Sequence, residues 1–436
     1  MPTQGSPGRG AVPLVEVEAV SLHREHAQAY GLSIGQPTPE TRSHDSYSFP
    51  LDGRVGDARS LLGVDLFHAG TRLNRIWHRR PRSTGGDDGS VSFSWPVNAL
   101  AMPPSFDAEV RAVLDDRTHA SLATITGRRA RIDSACEPTI QPLLITSLGR
   151  SGSTVLMRAL EQHPEIAACP AFEYESTVSL YWLAVLRDLS QPASYRHQLV
   201  NQPGTRLGGP EWWRASQGPL PPALSDTRLE QIVGRNAVGR LATFCHSQID
   251  LVYRQLADRF GRPGATYFAE KTIPAPLLSL LDELYPDGRE IVLIRDFRDH
   301  LCSVVDFYSR RGLLDVRRDR DRVLELAGDA RKSAMALLAR CRLGEGRVHV
   351  LRYEDMVLAP TETFSALLAY LSLPEEPAVL VGMTDAVTRP DATTASHRTV
   401  ADAAASVGRW QRDLQPDVVE AAGEELRVPL ESFGYS

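Results

Sequence analysis

Lysine is almost missing from this chain. Of its 48 basic residues, only Lys271 and Lys332 are lysines. The rest are arginine, a bias of the kind GC-rich bacterial genomes produce. Each surviving lysine marks a position where arginine has not taken over, and the two cations are not interchangeable. Cysteine is scarce too. Cys136, Cys169, Cys245, Cys302 and Cys341 are odd in number, scattered, and form no C-x-x-C pair. That argues against a disulfide framework and against a cysteine zinc site. No run of 18 apolar residues occurs, and the opening MPTQGSPGRGAVPLVEVEAV has no apolar stretch of signal-peptide length. The expectation is a cytoplasmic chain with no membrane span. Excess positive charge is absent as well. The net charge is −6, which argues against nucleic acid or an acidic membrane surface as the partner of the whole chain.

What remains is an ordinary globular composition, 42% apolar over 436 residues, long enough for two domains. Residues 1–12 are polar and Gly/Pro-rich and read as a disordered tail. From 13 to 132 the apolar segments are short and partly alternating: VEVEAVSL, SLLGVDLF, SVSFSWPV, DAEVRAVL and ASLATITG, parted by turn residues. This pattern predicts a small antiparallel, sandwich-like β-domain, read as accessory because it holds no catalytic constellation. Beyond 138, apolar strands (PLLITSL, ATYFAEK, REIVLIRD, RVHVLRYED) alternate with helical spacing (TVLMRALEQH, DRVLELAGDARKSAMALLARC, TETFSALLAYLSL). Strand–helix alternation predicts an α/β domain with a parallel sheet flanked by helices. Ligands of such sheets bind beyond the carboxyl ends of the strands. Arg150, Lys271, Arg295 and Tyr353 each follow a strand there. Residues 187–240, rich in Pro, Gly and Trp, read as an insertion or lid.

The stretch GRSGST, from Gly149 to Thr154, joins one such strand to a helix. Gly149 and Gly152 permit a tight turn and close backbone approach. Ser151, Ser153 and Thr154 offer hydroxyls, and a helix N-terminus offers unpaired N–H groups. Arg150 adds a permanent charge on a planar fork suited to oxyanions. The loop looks built for a phosphate-like group, although it is not a Walker A loop, which requires G-x-x-x-x-G-K-[ST]. Alone, it reads more readily as a plain β–α turn with a surface arginine. A second segment, IVLIRDFRDHLCS, puts Arg295 at a strand end and Ser303 eight residues on. FAEKT places Lys271 at another strand end, and RYEDM and SVGRW follow downstream.

Taken in order, these motifs resemble the sulfotransferase superfamily, enzymes that use 3′-phosphoadenosine 5′-phosphosulfate (PAPS). The resemblance runs from about 140 to the C-terminus and is nearer the carbohydrate and tyrosylprotein type than the cytosolic type. It implies a P-loop-like fold with no metal. It also implies that Arg150 holds the 5′-phosphosulfate with Ser151, Gly152, Ser153 and Thr154, and that Arg295 and Ser303 bind the 3′-phosphate. Tyr353 would lie near the adenosine, and the loop Ser406–Trp410 would close over the nucleotide, with Arg409 as a phosphate contact. Lys271, in K-T-I-P where that branch has a K-x-P-like context, resembles its second cation. Glu173, in HPEIAACPAFEYES, stands where that branch has its catalytic glutamate. Glu175 is the near alternative, since an extended stretch would send both to one face.

Sulfuryl transfer of this kind needs in-line attack, stabilisation of the leaving oxygen and a base for the acceptor hydroxyl. The acceptor implied is a small molecule or glycan, and the product nucleotide is PAP. His163 reads as structural. Trp182, Trp212 and Trp213 read as packing or as acceptor contacts, and the alternating Arg/Asp run from Arg317 to Arg322 reads as a solvated helix start. A kinase on a related scaffold stays open, though the Walker lysine and a clear magnesium aspartate are lacking. So does a non-catalytic protein that binds a nucleotide or glycan.

Overall fold

The computed structural model describes residues 13–44, 47–59, 61–78, 89–190, 235–310, 319–342, 346–389 and 403–435. The tail 1–12, most of the expected lid, Trp212, Trp213, Arg317 and Arg318 lie outside the described residues. The chain falls into two compact units that interleave along the sequence. The first takes in residues up to Cys136, Leu180–His246 and Pro276–Leu284; the second takes in Glu137–Ser179, Ser247–Ala275 and everything from Tyr285.

The first unit opens with β1 (Val15–Leu22), α1 (Arg24–Ala29), β2 (Leu32–Gln36), β3 (Ser43–His44), β4 (Ser48–Val55), β5 (Leu61–His68), β6 (Thr71–His78), β7 (Val91–Asn98), β8 (Ser105–Leu114) and β9 (His119–Arg129). They form two antiparallel sheets, ordered β3-β1-β9-β8-β5-β6 and β2-β4-β7. Alternation does the sorting. In β1, Val15 and Val17 are buried while Glu16 and Glu18 face water, so one face of the pleat becomes core. Both sheets share that core: Phe49 of β4 stacks on Phe106 of β8 with ring centroids 6.0 Å apart. The arrangement is the expected sandwich. Strands β2, β3, β4 and β6 are additions to the sequence reading. LSIGQ, SFPLDGRV and TRLNRIWH are interrupted by Gly, Pro or charge and SH is only two residues long, so pairing rather than propensity makes them strands.

The chain continues as β10 (Gln141–Ser147), α2 (Ser153–Leu160), β11 (Ile166–Ala168), α3 (Val178–Leu189), α4 (Arg235–Arg259), β12 (Tyr267–Thr272), α5 (Leu278–Leu284), β13 (Arg289–Ile294) and α6 (Phe297–Arg310). It ends with α7 (Arg320–Cys341), β14 (Val348–Arg352), α8 (Tyr353–Leu358), α9 (Pro360–Leu371), α10 (Pro377–Thr388), α11 (Trp410–Asp413) and α12 (Pro416–Ser432). From Leu180 to the part of α4 that ends at His246, and again in α5, the chain belongs to the first unit. The second unit is built on a parallel five-stranded sheet, ordered β11-β12-β10-β13-β14. Its central strand is apolar without alternation, Leu143, Leu144 and Ile145 all being buried, as a strand covered on both faces requires. One face packs Leu143 and Ile145 against Leu156 and Leu160 of α2 and Phe364 of α9. The other packs Val292 and Ile294 against Leu301 of α6, Leu337 of α7 and Leu426 of α12.

Register then decides the site. Parallel pairing sets Ile145 beside Lys271, Ser147 beside Leu293, and Ile294 beside Arg352. Lys271 and the residues just after β10, β13 and β14 therefore emerge along one carboxyl edge.

Candidate active site

After β10 the chain turns sharply before α2. Arg150 adopts φ +72° and Gly152 φ +93°, both left-handed. For arginine that conformation costs about 1–3 kcal/mol and persists only where its surroundings hold it. Here α6 holds it. His300 Nε2 donates to the Gly149 carbonyl at 2.8 Å. Arg150 Nε donates to Ser303 Oγ at 3.4 Å, and its guanidinium carbon lies 4.9 Å above the Phe307 ring. Gly152 is required for a different reason. A Cβ there would come within 2.4 Å of Tyr353 Cδ2. A Cβ at Gly149 would meet no described atom within 4 Å, so the loop backbone stays approachable.

Arg295, Tyr353 and Ser406 form a second group. The Arg295 guanidinium sits 4.7 Å over the Tyr353 ring, and its Nη2 donates to the Ser406 carbonyl at 2.7 Å. Tyr353 and Ser406 hydroxyls are 3.1 Å apart. Arg295 is buried, yet its Nε finds no acceptor among the described residues. A buried donor of this kind is a standing polar debt unless an anion meets it.

Lysines tell the same story by contrast. Lys332 is 77% exposed and pairs with Asp329 one helical turn away. Lys271 is 10% exposed; its Nζ donates to Thr154 Oγ1 at 3.1 Å and approaches Glu175 Oε1 at 3.4 Å. Its neighbour Glu270 points to the other face of β12 and is buried. It accepts from Val178 N at 2.7 Å, Ser179 N at 3.2 Å and Tyr253 Oη at 2.6 Å. The carboxylate thus caps α3 from another element, doing what an N-cap side chain does locally. Burial pushes its pKa up, against those hydrogen bonds.

Several expectations change. The stretch carrying Glu173 and Glu175 is not extended. Ala171–Tyr174 is a single 3-10 turn, Tyr174 has φ +66°, and Tyr174 Oη donates to Glu161 Oε2 at 2.5 Å. The argument that both glutamates share a face therefore falls. Glu175 meets Lys271, and the Glu173 side chain lies outside the described residues. Arg409, expected as a phosphate contact, is 3% exposed and held by Asp306 and Asp413. A phosphate brought to it would also meet those two carboxylates. His163 is structural as expected, with Nε2 on the Pro374 carbonyl and Nδ1 accepting from Glu165 N. Trp182 packs edge-on between Tyr181 and Phe244.

Sequence reasoning passed over Asp299, His300 and Asp306. Asp299 accepts from Gly408 N at 2.7 Å and Trp410 N at 2.9 Å, and burial pushes its carboxyl up from the usual range. A signal existed: residues 299, 303 and 306 recur at helical spacing, a polar stripe on a helix between two core strands. Among the described residues no cluster of His, Cys, Asp or Glu could hold a metal ion, and no described helix is long and apolar enough to cross a membrane.

A cationic, hydroxyl-bearing β–α loop at the carboxyl edge of a parallel sheet defines an α/β protein equipped to hold an anionic ligand. The chain belongs to the Sulfotransferase family, whose model matches residues 142–377, more than half its length. Solved structures similar to it include the sulfotransferase domain from the curacin biosynthetic pathway (18% identity, 69% of this chain and 99% of that one, TM-score 0.39). A sulfotransferase from Mycobacterium avium is similar at 17% identity (69% and 78%, TM-score 0.37). A mouse sulfotransferase complexed with PAP is similar at 13% identity (70% and 91%, TM-score 0.38). No curated protein matches the chain.

Proposed function

We propose that this sulfotransferase takes its sulfuryl group from PAPS and passes it to a hydroxyl of a small molecule or glycan, with a glutamate accepting the hydroxyl proton. The observation that carries the reading is the buried, unpartnered Nε of Arg295, set on the same sheet edge as Arg150 and Lys271. PAPS supplies a sulfuryl group on a phosphate leaving group, plus a second phosphate on the ribose. In this reading Arg295 and Ser303 receive that second phosphate. Arg150 and Lys271, with Ser151, Ser153 and Thr154 between them, are placed to neutralise charge as it builds on the leaving oxygen. Lys271 is held for this by Thr154. Catalysis of this type is positioning and electrostatics, which is what fixed cations at strand ends provide.

Glu173 is the proposed base, by its place in the sequence. Glu175 is a second reading, favoured by its contact with Lys271 and its 70% exposure, which leaves it within reach of an acceptor. The donor assignment is tested by calorimetric titration with PAP, using ATP and magnesium as comparison. Arg295→Ala should weaken PAP binding on the order of 10–100-fold, the weight of a charge-assisted contact to a dianion. Equal PAP affinity in the variant, or ATP binding in place of PAP binding, would refute the assignment.

A further inference from the structure

Three side chains of α6 grip the loop Gly149–Thr154, and only Ser303 has a place in the reading above. His300, Ser303 and Phe307 lie at i, i+3 and i+7, on one face of the helix. Ser303 and Phe307 touch the Arg150 side chain. His300 touches the backbone instead, bonding the Gly149 carbonyl at 2.8 Å. A carbonyl can only accept, so Nε2 carries the ring proton. Burial pushes the imidazole pKa down to about 4, with the charges of Arg295 and Arg150 adding to the effect. The ring is therefore neutral at ordinary pH and its tautomer is fixed.

Two observations speak against simple packing. The ring is buried, and its Nδ1 has no hydrogen-bond partner among the described residues. Leucine or valine would fill the space without stranding a polar atom. Moreover, the carbonyl it holds belongs to the peptide between Gly149 and Arg150. With the residues after it anchored in α2, holding that peptide plane restrains rotation about the Arg150 N–Cα bond, the torsion that sits at φ +72°. That torsion sets the direction in which the Arg150 side chain leaves the loop toward Ser303 and Phe307.

We propose that His300 is a positioning residue that holds Arg150 in its left-handed turn and so aims its guanidinium at the 5′-phosphate side of the donor. The assignment rests on the PAPS reading. Its test separates the two ends of the nucleotide. The full chain and the variants His300→Leu, without a donor, and His300→Gln, whose amide N–H can occupy the place of Nε2–H, are titrated calorimetrically with PAP and with adenosine 3′-phosphate. The second ligand lacks the 5′-phosphate that Arg150 serves.

His300→Leu should lose about tenfold or more in PAP affinity, the scale of one misplaced charge-assisted contact. It should bind adenosine 3′-phosphate within about twofold of the unaltered chain, and His300→Gln should recover most of the PAP affinity. Equal loss for both ligands would make His300 a structural residue, and no loss for either would leave it without a role; each overturns the proposal. Should His300→Leu fail to fold, His300→Asn, whose shorter amide cannot reach Gly149, reads the same split against His300→Gln. An unaltered chain that ignores PAP altogether would instead overturn the donor reading.

Discussion

Arg150 and Gly152 occupy left-handed backbone two residues apart in one turn, for opposite reasons. Arg150 is held there by contacts from α6 and carries chemistry on its side chain. Gly152 is there because no side chain fits. Gly152→Ala would add both the φ penalty and a Cβ at 2.4 Å from the Tyr353 ring, which also supports Arg295 and Ser406. The expected cost is about 2–4 kcal/mol, read as a lowered melting temperature, together with weakened PAP binding. An unchanged melting curve would mean the turn relaxes freely. Glycine at this position could be read from GRSGST as a turn residue. Its collision partner could not, because Tyr353 opens a helix about two hundred residues later. The base is also a question of single residues. Glu173→Gln should keep PAP affinity and lower turnover by ~10²–10⁴-fold. If Glu175→Gln shows that loss and Glu173→Gln does not, the roles are exchanged.

At the scale of elements, α6 is the piece that organises the site. Along its length Asp299 binds the backbone of the SVGRW segment, His300 and Ser303 bind the loop Gly149–Thr154, and Asp306 binds Arg409. One helix thereby ties the early loop to the late segment. Asp299→Ala should free Gly408 N and Trp410 N, so hydrogen exchange at those two amides should speed up at least tenfold, about the loss of one to two hydrogen bonds to a charged acceptor. PAP affinity should fall with it, because Ser406 lies in the same segment and contacts both Arg295 and Tyr353. Unaltered exchange at Gly408 would show that Arg409 and its carboxylates suffice to hold the segment. The helix itself was legible from IVLIRDFRDHLCSVV, and so were the position of Arg295 at a strand end and of Ser303 in the helix. Asp299, His300 and Asp306 on the same helix went unread because polar residues on a helix more often face water; only packing against the loop and the SVGRW segment turns them inward.

For the whole molecule, the telling pair is Arg129 and Glu283, both in the first unit although 154 residues apart. Both side chains are buried. The guanidinium is bidentate on the carboxylate, which also accepts from Ile132 N at 2.9 Å. Glu283→Ala would leave a buried guanidinium with, among the described residues, only the Met102 and Ala130 carbonyls. Losing one partner of a buried pair costs about 3–5 kcal/mol, so the denaturant midpoint should fall clearly. An unmoved midpoint would show that those carbonyls satisfy the charge alone. The change of composition near residue 140 is visible in the sequence. The return of Leu278–Leu284 to the first unit is not, since that short apolar helix carries no mark of where it will pack.

Sequence alone settled what local pattern can settle. Period-two alternation gave the β-sandwich, strand–helix alternation gave the parallel sheet, and the motifs GRSGST, EKT and IRDFRDHLCS carried the family. These are properties of neighbouring residues, governed by pleat, helix pitch and the chemistry of short loops. Tertiary structure decided everything that depends on distant segments meeting. It buried Lys271 and left Lys332 in water. It turned Arg409 toward Asp306 and Asp413, bent the Glu173–Glu175 stretch out of extension, and set His300 beneath Gly149. Side-chain partners depend on register and packing between distant segments, and no window of local sequence contains both sides of such a contact.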